Sequence, residues 1–147
     1  MINMLLILLF TTFSLAETHT VNAGSFYYQP STLTINVNDS VDFINDGGLH
    51  DVVVTSGPEL LELPACSGPC DIGTLTFTTA GTYDYICSIG SHASNGMVGT
   101  IIVEESTASV QVIHNSASPT VDVYIDGVLA VEDFEYRAAT PVLELGT

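Results

Sequence analysis

Lysine is missing from this chain of 147 residues, and its single arginine, Arg137, stands against 17 acidic side chains, a net charge of −16. Nucleic-acid binding is excluded, because phosphate contacts need clustered Lys and Arg. Docking to an anionic membrane surface is excluded for the same reason. Charge of either sign is also scarce, 12% against 46% hydrophobic, so the acidity is not that of a disordered tail. Helix formers are poorly supplied: Lys, Arg and Gln together number three, whereas Thr, Val and Ile number 43. That balance favours strands. The length allows one domain and part of a second.

Long hydrophobic runs are absent too. The longest begins the chain, Met4–Phe10 extended by Phe13 and Leu15, and is too short to span a bilayer. Ser14-Leu15-Ala16 then supplies small residues where an export peptidase reads them, so residues 1–16 are expected to be a cleaved signal peptide, with an uncleaved anchor as the alternative. No membrane span is expected after cleavage, and the mature chain should be periplasmic, secreted or at the cell surface, where disulfides form.

Three cysteines are present. Cys66 and Cys70 flank Ser-Gly-Pro, a turn-forming sequence that can bring two sulfurs together. A disulfide there closes a small loop worth about 2 kcal/mol; a second metal site is the alternative. Either leaves Cys87 alone, which in an exported protein needs a reason.

From residue 18 to 104 the chain reads as about seven short strands with turn clusters between them, a β-sandwich or barrel. Leu33, Ile35 and Val37 alternate, Asn38-Asp39-Ser40 turns the chain, and Val41 and Phe43 follow. His50–Thr55 reads as a buried strand, Pro58–Gly73 as a long connection, and Thr74–Thr78, Tyr83–Cys87 and Val98–Glu104 as the closing strands.

The chemistry lies before that last strand. Cys87, His92 and Met97 fall at five-residue intervals, and Met97 is the sole methionine after the leader. His50 lies upstream, after Asp46-Gly47-Gly48. Two imidazoles, a thiolate and a weak axial thioether are the donor set that holds copper for electron transfer. Singly, each residue has a commoner structural use, a packed Met or an inert buried Cys. Together they point to a metal.

Gly81-Thr-Tyr-Asp-Tyr-Ile-Cys87, the ligand loop, Val98-Gly-Thr-Ile-Ile-Val103 and Phe43-Ile-Asn45 before His50 resemble the plastocyanin-like cupredoxins over residues 17–105. The resemblance implies a Greek-key sandwich with one type 1 copper ion near one end. It implies His50, Cys87 and His92 as equatorial ligands, Met97 as the axial one, and an exposed His92 ring edge as the electron port. The Cys-to-His spacing is nearer that of phytocyanins, yet their cysteine after the second His is here Ala93. Where blue copper proteins often carry Asn after the first His, this chain has Asp51, which must do any equivalent bridging.

Residues 106–147 are expected to be a linker and the truncated start of a second β-domain. Val110–Pro119 and Val121–Gly127 resemble the opening of a domain of unknown function in exported bacterial proteins, and Asp126-Gly127 is a hairpin signal. His114 is read as structural there. His19 would become the third residue after cleavage, completing a four-nitrogen set suited to a secondary copper(II) site; an ordinary residue at a frayed terminus is the alternative.

The expectation is a non-enzymatic carrier shuttling single electrons between exported redox proteins, one of them with a basic docking surface. Periplasmic copper storage or delivery is the runner-up, and a cell-surface structural module the third reading.

Overall fold

Strand-forming composition is realised almost throughout the computed structural model, which describes residues 15–115, 120–125 and 127–146. The chain divides into Ser14–Ser106 and a second unit whose described part begins at Thr107.

Seven strands build the first unit: β1 (Thr18–Gly24), β2 (Tyr27–Gln29), β3 (Thr32–Asn36), β4 (Ser40–Ser56), β5 (Glu62–Thr76), β6 (Gly81–Ile86) and β7 (Val98–Glu104). They join in the order β2-β1-β4-β6-β7-β3, with β5 also on β4. The all-β expectation holds, and β4 explains the closure. Its first part, Ser40–Asn45, runs parallel to β1, while its last residues pair antiparallel with β6. One strand thus belongs to both halves of the sheet, which curls into a barrel with β3 parallel to β7.

Two expectations are corrected. Val41–Phe43 and His50–Thr55 are one strand, because Gly47-Gly48 bulges β4 without ending its pairing. The long connection over Pro58–Gly73 is instead largely β5, paired with β4 from Glu62 onward. β5 pairs with β4 alone, and an edge strand tolerates Pro64 and Pro69, which donate nothing outward.

Inward residues alternate along the strands: Val21 and Ala23, Val41 and Phe43, Tyr83 and Tyr85, Ile101 and Val103 are all buried. At the centre Tyr85 packs edge-on against Tyr28 and Phe43, with centroids 4.8 and 5.4 Å away. Gly99 makes room for the Tyr85 ring, since a Cβ there would lie 2.3 Å from it.

The second unit holds β8 (Thr107–Val110), β9 (Val121–Ile125), β10 (Val128–Phe134) and β11 (Leu143–Gly146). β9 and β10 form the expected hairpin, with Gly127 at φ 79° in its two-residue connection. His114 is buried, its Nδ1–H donating to the Phe134 carbonyl at 2.8 Å. Most of the expected leader, residues 1–14, lies outside the described residues. Among the described residues no helix is long and apolar enough to cross a membrane.

Candidate metal centre

Three of the four expected ligands come from the short stretch between β6 and β7. Cys87 directly follows β6 and is buried by the core. The chain then turns back through hydrogen bonds from His92 N–H to the Ile89 carbonyl (3.0 Å), Met97 N–H to the His92 carbonyl (3.0 Å) and Cys87 N–H to the Met97 carbonyl (3.1 Å). A 3-10 turn over Ala93–Asn95 ends at Gly96, whose φ of 103° brings Met97 back inward. Met97 is fully buried. The fourth residue, His50, comes from β4 just beyond the bulge and is 3% exposed.

One ligand atom each from His50, Cys87 and His92 can be chosen so that all lie within 4.8 Å of one another. Cys87 Sγ is 3.3 Å from His92 Nδ1 and 3.8 Å from His50 Nδ1. The outer nitrogen of His50 fixes its tautomer: Nε2–H donates to the Gly47 carbonyl at 3.0 Å, leaving the Nδ1 lone pair toward the sulfur. Gly47 is itself held, its N–H donating to Asn45 Oδ1, while Asn45 Nδ2–H reaches the carbonyls of Gly48 and Cys66. Gly48 has a φ of 98°, and a Cβ there would sit 2.9 Å from His50 Nε2.

Asp51 does the bridging that the sequence demanded of it. Its carboxylate accepts from the Ser88 N–H at 2.7 Å and from the Ser88 hydroxyl, tying the His50 segment to the Cys87 segment. The sequence marks Asn45 and Gly47 only as part of the run leading to His50 and gives Ser88 no role beyond following Cys87; their supporting bonds to the site appear only in the fold. Cys66 and Cys70 form a disulfide on β5, opposite His50 and Asn45 respectively, which excludes a metal site at that pair. Their expected turn is instead a bulged stretch of strand.

Burial raises the Cys87 thiol above its usual range, against the pull of N–H donors from Asp51 and Ile89. Burial lowers His50 below the usual imidazole range, with His92 adding to it, against the opposing pull of the Gly47 carbonyl and the Asp51 carboxylate. A metal held there would displace the thiol proton, so its affinity would rise with pH. The donors, two imidazole nitrogens, one thiolate and a buried thioether in the same loop, suit copper: soft sulfur for copper(I), imidazole for copper(II).

The outer face is apolar. Phe26 stands edge-on to His92 with centroids 5.3 Å apart, its own φ of 62° unusual for an aromatic residue. Phe26, Leu49 and Val98 are each more than 40% exposed. A shallow depression of about 330 Å³ opens between Phe26, Leu49, Ile89 and the rings of His50 and His92.

His19 lies elsewhere, in β1, with Nε2 3.1 Å from Asp39 Oδ2. Its backbone neighbours Thr18 and Thr20 pair with Ser40 and Asp42. Wrapping the four nitrogens around copper(II) would require undoing both.

A curled β-barrel with a nitrogen–sulfur metal centre between its last two strands defines a cupredoxin. The sequence pattern of "Copper binding proteins, plastocyanin/azurin family" matches residues 16–104, and the chain belongs to that family. It is 37% identical over 84 residues to a plastocyanin of Prochlorothrix hollandica, covering 52% of this chain and 63% of that one. It is 33% identical over 92 residues to a plastocyanin of Scenedesmus fuscus, covering 56% and 92%. The chain thus spans a little under two thirds of the first of these relatives. Among solved structures, an oxidized amicyanin variant superposes with a TM-score of 0.50 at 30% identity, covering 58% of this chain and 81% of the other.

Proposed function

We propose that this chain is a type 1 copper protein that carries single electrons between exported redox partners, with His50, Cys87 and His92 as equatorial ligands and Met97 as the axial one. The observation that carries this reading is the closeness of the three ligand atoms on segments tied together by Asp51, with the His50 ring fixed by the Gly47 carbonyl. Bound copper would supply the one-electron couple. The protein's part is to hold the donors still between oxidation states, which keeps reorganisation small. His50 is fixed through its outer nitrogen, Cys87 through Ser88, and Met97 through the backbone of His92.

His92 stands at the apolar depression, where a partner can approach closely. The −16 charge would steer a basic partner to that face and set the encounter rate. A complete ligand set without an evident substrate group favours a carrier over an enzyme. Residues 1–16 as a cleaved leader would place the chain in the periplasm or outside the cell, and the second unit would belong to an exported β-domain.

Stopped-flow oxidation of the reduced protein by a cationic cytochrome should be fast at low salt and slower at high salt, with copper retained. Slow exchange at every salt concentration, with copper passing to an acceptor, would favour storage or delivery instead.

A further inference from the structure

Asp39 is 1% exposed, and a buried carboxylate needs compensating partners. The first unit offers it no lysine or arginine, because the only arginine of the chain is Arg137. Three donors meet it instead. The Glu17 N–H reaches Oδ1 at 2.7 Å, the Asn36 N–H reaches Oδ2 at 2.9 Å, and the His19 ring lies 3.1 Å from Oδ2. Two of the three come from residues 17 and 19, immediately after the expected cleavage point. Glu17 is fastened from its other side as well, its carbonyl accepting from the Ser40 N–H at 2.8 Å. Residues 18–23 then pair with β4. The preceding residues are accessible: Leu15 is 84% exposed and Ala16 is exposed.

We infer that the Ala16–Glu17 peptide bond is the processing site, and that the α-ammonium group freed there becomes the cationic partner of Asp39, locking β1 to the turn before β4. Hydrolysis breaks the bond between the Ala16 carbonyl carbon and the Glu17 nitrogen. Water gives its hydroxyl to Ala16, whose new acid ionises, and the Glu17 nitrogen gains two hydrogens in all, one from water and one as a proton. An amide donor 2.7 Å from a buried carboxylate thereby becomes an ammonium donor at the same place. The bond to the carboxylate is charge-assisted in both forms; cleavage adds to it the attraction of a full positive charge, which is stronger beside a carboxylate shielded from water. Export would deliver not merely a trimmed chain but one whose first strand is clamped by its own terminus. The inference rests on the reading of residues 1–16 as an export leader.

The intact mass of the exported full chain should show a start at Glu17; a start at another residue removes this processing site while keeping a leader, and a chain still beginning at Met1 removes the leader reading as well. The clamp is tested separately on the full chain prepared from residue 17 onward, with and without one additional alanine ahead of Glu17. The extension keeps the Glu17 N–H but moves the ammonium away. Hydrogen exchange across Thr18–Gly24 should be about tenfold slower in the form that starts at Glu17. The gap should collapse in Asp39→Asn. Equal exchange in the two wild-type forms would overturn the clamp even with the Glu17 start confirmed, and that pair decides the matter even where Asp39→Asn does not fold.

Discussion

The two ends of the barrel each hold one buried carboxylate, and they are used differently. Asp39, beside the start of β4, accepts from three donors brought together from Glu17, β1 and β3. Asp51, in the second part of the same strand, accepts from Ser88 by backbone and side chain, and so joins the segments that carry His50 and Cys87. Neither meets a lysine or arginine. In a unit without those residues, hydrogen-bond donors take the place of cations, and what a carboxylate does follows from which segments its donors belong to. One closes strands; the other ties together the two segments that carry the candidate ligands.

Breaking the structural end should have the larger effect on stability. Asp39→Ala leaves the donors of β1 and β3 without an acceptor and should cost about 3 kcal/mol in urea unfolding, while the copper-loaded spectrum stays unchanged. A shifted spectrum would mean the two ends are coupled. Burial pushes the Asp39 carboxyl up, but bonds from Glu17, Asn36 and His19 outweigh it and hold it below the usual carboxylate range. The folded state then binds fewer protons than the unfolded one. This stability is therefore present above about pH 4 and lost as pH falls through the depressed value. Asp39→Ala should lack that part of the acid dependence.

At the other end, Asp51→Ala should cost less stability, about 2 kcal/mol, but lower copper affinity by about 10- to 100-fold in a competitive chelator titration. Asp51→Asn, whose oxygen still accepts the Ser88 N–H, should recover much of both. If Asp51→Ala keeps full affinity, the tie between the two ligand segments is dispensable. Gly48→Ala sharpens the comparison further. Backbone strain at a φ of 98° should cost about 1 kcal/mol. The new methyl, 2.9 Å from His50 Nε2, should tilt the ring and change the visible spectrum.

The metal end was the more legible of the two in the sequence. Cys87, His92 and Met97 share one loop at regular spacing, so their meeting is a local matter, and His50 follows a glycine pair that marks a bend. Strands β3 and β7 announced themselves by alternation against the core. β5 did not, because an edge strand with one partner needs no apolar alternation and can carry prolines and a disulfide. The continuity of β4 was hidden because Gly47-Gly48 reads as a break, whereas its pairing with β5 passes across the bulge. Asp39 read as a turn residue only; two of its donors lie some twenty positions earlier, and local pattern carries no trace of that contact.

The central claim is that Cys87 joins His50 and His92 around one copper ion, and visible absorption during copper(II) titration tests it most directly. The wild-type chain should turn intensely blue and saturate its colour at one equivalent, because thiolate-to-copper charge transfer supplies the band. Cys87→Ser should stay colourless with its fold intact by circular dichroism. A wild type that binds copper without the blue band, or a Cys87→Ser protein that keeps it, would contradict the account.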